Sequence, residues 1–265
     1  MSTDYSSGFD PVDYLENRWD PSKADTNALY IKYKVAKFMA RFYQDFHHHW
    51  DPRGAQVLEV GGGPAIGNVI GAGSYVSKIT FTDYLPANLE QVTLWKEKSP
   101  KAFNWDAAFQ HVVKEIRGQE ADVVAVANEW QEQLREKIST LEHCDFRRDG
   151  FIDPSLVPEG GFDVVTTSGA LEDVAQDKSE FTAMLKTCHS LLKQGGYMVA
   201  ATYGKENMYK VNPNADKAFY ALYLTEEIVR EALIEAGFNL EEFETSNIKV
   251  DFISTECYCY VARKM

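Results

Sequence analysis

Three short stretches carry residue types that together could hold an adenosine. Gly61-Gly62-Gly63 follows the apolar run Gln56–Val60, and glycines at such a turn let the backbone approach a ligand closely. The third glycine of a dinucleotide fingerprint would fall on Ile66, so the G-x-G stands alone, and a plain strand–helix turn is the alternative reading. Asp83 ends the run KITFTD, roughly 20 residues after the glycines, where a carboxylate can accept from both hydroxyls of a ribose. An aspartate capping the turn before Pro86 is the alternative. Tyr84 beside it can cover one edge of the sugar. Asp145 ends EHCD, with Phe146 next to it. An acid there can take the exocyclic amine of adenine while its apolar neighbour packs on the ring, unless it is a solvated loop acid. The chain has no lysine-bearing phosphate loop, which disfavours phosphoryl transfer.

These residues need strands that end side by side. Gln56–Val60, Lys78–Asp83, Glu142–Asp145, Phe162–Thr167 and Tyr197–Thr202 read as strands, with helical patterns between them. The clearest helix carries Phe181, Met184, Leu185, Cys188, Leu191 and Leu192 at spacings of three and four, and closes at Gly195-Gly196. Such alternation predicts an α/β, doubly wound, mostly parallel sheet. The chain closes differently. Thr225 caps a helix that stops at Gly237, and Leu240–Thr245 and Glu256–Ala262 then read as strands with little room for a crossover between them. The sheet should therefore have seven strands, with an antiparallel last strand. Ahead of it, Pro11–Trp19 and Asn27–His49 read as helices of a cover or lid over residues 1–50. Trp105–Arg117 and Val123–Leu141 place two helices in a 105–141 insertion where one is usual. A single domain over 1–265 is expected.

Forty acidic against 27 basic residues give a net charge of −13, and such a surface repels phosphate backbones and anionic lipid. Nucleic acid and membrane are not expected partners. The 45 % of hydrophobic residues suffices for a sizeable core. Four cysteines without a C-x-x-C pair fit a reducing compartment. With no basic, apolar leader and no run of about 18 apolar residues, a cytoplasmic protein is expected. It should be monomeric, since no heptad seam is present.

The stretches VLEVGGGP, TDY-L-x-x-NL, HCD, FDVVTTSGALED and LLKQGGYMV, with FDPVDYLENRW near the N-terminus, closely resemble one group of proteins. These are the nicotinamide, phenylethanolamine and indolethylamine N-methyltransferases. The matches run from Phe9 to Arg263. The N-terminal segment and TDY-x-x-x-NL are particular to this group, whereas the glycine loop and LLKQGG occur in many class I methyltransferases. The resemblance implies a Rossmann-like class I fold, S-adenosyl-L-methionine as methyl donor with S-adenosyl-L-homocysteine as product, a small-molecule amine acceptor, and no metal. It carries cofactor positions onto Tyr14, Trp19, Gly61, Gly62, Gly63, Asp83, Tyr84, Asn88, Asp145, Phe146 and Ser168. Two departures bear on the methionine end: Ala65 stands where the family often has threonine, and Gly67 where it often has tyrosine.

Methyl transfer is an in-line displacement that needs donor and acceptor aligned and a free lone pair on the acceptor nitrogen. An aliphatic amine arrives protonated, so carboxylates suit both its binding and the removal of its proton. Glu172 and Asp173 follow the fourth strand; Glu206 and Tyr209 follow the fifth. In the phenylethanolamine enzymes, glutamates matching Glu172 and Glu206 contact the amine. A functional aspartate of nicotinamide enzymes matches Thr202 here. The resemblance thus lies nearer the amine-methylating branch, with Glu206, Glu172 and Tyr209 as catalytic positions. Rival readings are a nicotinamide-type or thioether methyltransferase, a nicotinamide-dependent oxidoreductase, and a non-catalytic protein that binds S-adenosylmethionine. His47-His48-His49 cannot easily chelate one ion, because successive helical residues point about 100° apart. Cys257 and Cys259 alternate onto one strand face and read as buried packing. Trp95, Trp105 and Trp130 read as core residues.

Overall fold

Near-continuous apolar runs are the mark of strands covered on both faces, and β1 (Ala55–Val60) shows why. Val57 packs into one core cluster, while Leu58 and Val60 enter a second on the opposite face. In the computed structural model, which describes residues 8–50, 54–118, 122–205, 207–210, 218–250 and 253–265, β1 lies central in a seven-stranded sheet. The others are β2 (Val76–Asp83), β3 (Ile138–His143), β4 (Phe162–Ser168), β5 (Leu192–Gly204), β8 (Phe238–Val250) and β9 (Ile253–Lys264). Their order is β3-β2-β1-β4-β5-β9-β8. The first five run parallel, and β9 runs antiparallel to both β5 and β8. The doubly wound sheet with an antiparallel last strand is as expected. A separate two-stranded ribbon, β6 (Met208–Tyr209) with β7 (Phe219–Tyr220), was not anticipated.

On one face lie α1 (Pro11–Trp19), α2 (Thr26–Phe46), α4 (Asp106–Arg117) and α5 (Val123–Lys137); α7 (Lys178–Leu191) and α8 (Glu226–Glu235) cover the other. The remaining helices are α3 (Pro86–Lys96), which follows β2, and the single turn α6 (Leu171–Val174), which follows β4. Asp10 and Asp25 start the two cover helices by accepting from backbone N–H groups of their first turns. Trp95, Trp105 and Trp130 are buried, as their helical spacing suggested. No helix among the described residues is long and apolar enough to cross a membrane.

Several boundaries differ from the sequence reading. The third strand spans Ile138–His143, earlier than Glu142–Asp145, and α5 stops at Lys137. The strand is an edge strand with mostly uncovered side chains, so it lacks an apolar run. α7 ends at Leu191, four residues before Gly195, because Leu192 is already extended and pairs with Phe162. The cover helix α2 ends at Phe46, and His47–His49 form a 3₁₀ turn. The two closing strands are 13 and 12 residues long, well beyond the cores Leu240–Thr245 and Glu256–Ala262.

Candidate active site

The turn after β1 uses glycine for two different reasons. Gly61 and Gly63 both have φ of +64°, the left-handed region that other residues avoid. The Gly63 N–H donates to Asp83 Oδ2 at 2.8 Å, and a Cβ at Gly63 would meet nothing within 4 Å, so its outer face is open. Gly62 adds a second reason for glycine in this turn. A Cβ there would stand 2.3 Å from Phe81 Cζ and 2.9 Å from Glu59 Cγ, so its bareness serves core packing beneath the turn. Phe146 lies on the turn itself: a Cβ at Gly61 would come within 2.7 Å of its Cζ. The ring is held edge-on to Phe151 at 5.0 Å.

Asp83 is buried at the end of β2. Its Oδ1 accepts from Leu85 N and Asn88 Nδ2, each at 2.8 Å. Burial pushes its carboxyl up, and these donors act against that. Asn88, in the first turn of α3, is buried, and its Oδ1 has no donor. A buried acceptor without a partner beside an open glycine face suits a ribose hydroxyl, so the residues present fit an adenosine. Asp145 lies just past β3, its Oδ1 accepting from Arg147 N at 2.9 Å. Tyr84 is exposed with its ring 5.3 Å from His143, and Ser168 ends β4 opposite Ala201. These residues gather at the carboxyl ends of β1, β2, β3 and β4, which are neighbours in the sheet.

Two further residues join this half of the site. Glu59, on β1 beneath the turn, is fully buried; Oε1 accepts from Asn68 Nδ2 at 2.7 Å and Oε2 has no partner. Burial pushes its carboxyl up to about 8, against the pull of the Asn68 amide and the nearby Thr166 hydroxyl. Its place two residues before the first glycine was the available signal. Trp19 fills the gap left by Gly67: a Cβ at Gly67 would lie 2.0 Å from Trp19 Cη2. The indole packs 4.9 Å from Trp105, and its buried Nε1 has no acceptor. A large side chain on the cover thus occupies the room that a side chain on the loop would need.

The other half gathers around β5. Glu172, on α6, is buried, and its Oε1 accepts from Tyr203 N at 2.6 Å. Burial pushes its carboxyl up to about 7, opposed by the Tyr203 N–H and by the Lys32 ammonium. Tyr209 on the ribbon stacks on Phe219 at 5.5 Å; Phe219 meets Phe9 at 6.0 Å, and Phe9 meets Tyr14 at 5.5 Å. The Arg18 guanidinium donates to the Lys210 carbonyl, tying α1 to the ribbon. Glu206 lies outside the described residues. Lys32, on α2, reaches this group through the Tyr203 hydroxyl at 3.2 Å; nothing in its local sequence pointed to it. Clefts of about 370 and 600 Å³ lie beside the insertion and the outer side of α1, and neither is lined by Asp83, Glu172 or Tyr209.

Cys257 and Cys259 are buried on one face of β9, with sulfurs 3.9 Å apart. The three successive histidines lie on the 3₁₀ turn, where His48 and His49 pack ring on ring at 4.1 Å.

This arrangement can be set beside known proteins. A family model described as the NNMT/PNMT/TEMT family matches residues 1–265. The chain belongs to the NNMT/PNMT/TEMT family. Among relatives of this family member, an indolethylamine N-methyltransferase of Mus musculus is 28 % identical, covering 97 % of this chain and 90 % of the relative. A nicotinamide N-methyltransferase of Homo sapiens is 27 % identical over 98 % and 95 %. A phenylethanolamine N-methyltransferase of Mus musculus is 28 % identical over 89 % and 77 %. Among solved structures, magnesium protoporphyrin IX methyltransferase from Synechocystis PCC 6803 with bound SAH aligns at a TM-score of 0.56. It is 13 % identical and covers 96 % of this chain and 94 % of that one. At that identity the likeness speaks for the fold alone.

Proposed function

We propose that the protein is an S-adenosylmethionine-dependent N-methyltransferase acting on a small amine. Family membership over the whole chain and N-methyltransferase relatives support the reaction class. The observation that carries the amine reading is Glu172, a buried carboxyl on α6 just after β4 whose proton affinity lies near neutrality. Its Oε1 accepts from the Tyr203 N–H on β5. The cofactor, when bound, supplies an electrophilic methyl group on sulfur. Asp83 and Asn88 would hold its ribose, Gly61 and Gly63 would let its chain pass close to the backbone, and Asp145 and Phe146 would take the adenine. Tyr14, Trp19, Tyr84 and Ser168 would border it.

On the acceptor side, Tyr209 would pack over the amine, with Glu172 and Glu206 holding it. A carboxyl that ionises near neutrality can receive the ammonium proton and leave the nitrogen lone pair free. Four free, buried cysteines support a reducing, cytoplasmic setting, and we read the protein as a monomer. The test is methyl transfer from labelled S-adenosylmethionine to phenylethylamines, indolethylamines, aliphatic amines, pyridines and thioethers between pH 6 and 9. Turnover on an aliphatic amine should rise with pH through about 7, and Glu172→Gln should lower kcat/KM about 100-fold and flatten the rise. Turnover on pyridines alone, or an unchanged profile in Glu172→Gln, would remove Glu172 from this role.

A further inference from the structure

Lys32 stands on α2 between the buried residues Ile31 and Tyr33, so the cover carries a cation on its inward side. Its Nζ donates to the Tyr203 hydroxyl at 3.2 Å, and lies 4.9 Å from the Tyr203 ring centre and 5.7 Å from that of Tyr14. Burial pushes the Tyr203 phenol up, so this neighbour is neutral near pH 7. Burial acts to lower Lys32, and the Tyr14 and Tyr203 side chains act to raise it. Some other lysines pair with carboxylates: Lys37 with Glu115 at 2.6 Å, Lys178 with Glu231 at 2.7 Å and Lys205 with Glu256 at 2.5 Å. Among the described residues, none lies within ion-pair distance of Lys32. Glu172 acts on it only through its field, and one oxygen of that carboxylate is taken up by Tyr203 N.

Lys32 is half-buried, and an ammonium partly withdrawn from water is costly unless a counter-charge and well-placed acceptors repay it. Ring faces and neutral hydroxyls repay only part. What remains is a cation with an unfilled need for an anionic oxygen. Its position says whose. Tyr203 belongs to β5, two strands from β1 and three from β2 in the sheet order. From Tyr14, beside Lys32, rings run through Phe9 and Phe219 to Tyr209 on the ribbon.

We infer that Lys32, clasped by Tyr14 and Tyr203, is an anion-binding residue of the acceptor subsite, and that the acceptor carries a carboxylate in addition to the nitrogen that is methylated. The inference rests on the N-methyltransferase reading above. The methionine part of the cofactor also carries a carboxylate, so the two sources must be told apart.

Binding to the full chain is measured by calorimetry in two arms. In the cofactor arm, S-adenosylhomocysteine is compared with 5′-methylthioadenosine, which lacks the carboxylate. In the acceptor arm, with S-adenosylhomocysteine saturating, phenylethylamine is compared with phenylalanine and with 4-(2-aminoethyl)benzoate, which place a carboxylate near and far from the nitrogen. Wild type should bind one of the carboxylated amines at least about tenfold more tightly than phenylethylamine. Lys32→Met should erase that preference, Lys32→Arg should keep part of it, and the ratio between the two cofactor analogues should not move. A wild type without any carboxylate preference overturns the inference with no variant needed. So does a Lys32→Met protein in which the cofactor ratio collapses, since the site would then serve the cofactor. The underlying reading fails separately, by the absence of methyl transfer to every amine offered.

Discussion

Replacing Glu59 by glutamine should change how stability depends on pH. Glu59 is fully buried on β1, one oxygen held by Asn68 Nδ2 at 2.7 Å and the other without a partner. Burial raises its carboxyl from 4.5 to about 8. A raised pKa means that the fold prefers the protonated form. The stability this group supplies is therefore complete below pH 4.5 and is lost as pH rises through about 8. Linkage over pH 5 to 8 gives a loss of about 3 kcal/mol. Glutamine keeps the shape, can still accept from Asn68, and has an N–H₂ to offer Thr166 Oγ1, which is buried without a partner. It cannot ionise, so the loss should vanish. For a chain of 265 residues, about 3 kcal/mol corresponds to about 6 °C in Tm. Thermal unfolding of cofactor-free wild type and Glu59→Gln at pH 5, 6, 7 and 8 measures the difference directly. The variant's advantage should widen by about 6 °C from pH 5 to pH 8. Curves that stay parallel would show that Glu59 is ionised throughout, or that Oε2 has a partner the fold does not reveal.

Three further outcomes are expected. Gly67→Tyr should destabilise the protein by about 2 kcal/mol by expelling Trp19 from its notch, and adding Trp19→Ala should recover at least about 1 kcal/mol of it, read as coupling in urea unfolding; strict additivity would mean the two do not compete for one space. Asn88→Ala should weaken S-adenosylhomocysteine binding about tenfold in calorimetry, and an unchanged Kd would remove its Oδ1 from the ribose. Gly62→Ala should lower stability by about 2 kcal/mol against Phe81, whereas Gly63→Ala, with open space before it, should cost about 1 kcal/mol through its backbone conformation; equal losses in the two variants would contradict the distinction drawn between them.

Much of the scaffold is legible because its signals are local. Apolar runs mark β1, β4 and β5, spacings of three and four mark α7, and short joins at the end of the chain force an antiparallel strand. The third strand is not legible in the same way. It lies at the sheet's edge and follows α5 without a glycine or proline, so neither composition nor punctuation betrays the switch at Ile138. The proposed cofactor positions Gly61, Gly63 and Asp83 are readable because they stand at or just past the ends of the recognisable strands β1 and β2, whereas Asp145 lies two residues beyond the edge strand β3. Gly62 shows the limit of that reasoning: the same residue type in the same turn serves packing against Phe81. Lys32 could not be found this way at all. Its partner Tyr203 is 171 residues away, and only the folding of α2 back onto β5 gives an ordinary helix lysine a chemical context.

The placement of β9 has a consequence for the order in which the molecule can be made. It pairs with β5 on one side and β8 on the other, at residues 253–264, after the other six strands of this sheet have been synthesised. Until it emerges from the ribosome, β5 carries an unpaired edge in one of the most apolar stretches of the chain, Tyr197–Gly204. Such edges invite pairing with other chains. The interval between synthesis of β5 and arrival of β9, some fifty residues of translation, is thus the period in which the nascent protein most needs protection from its neighbours.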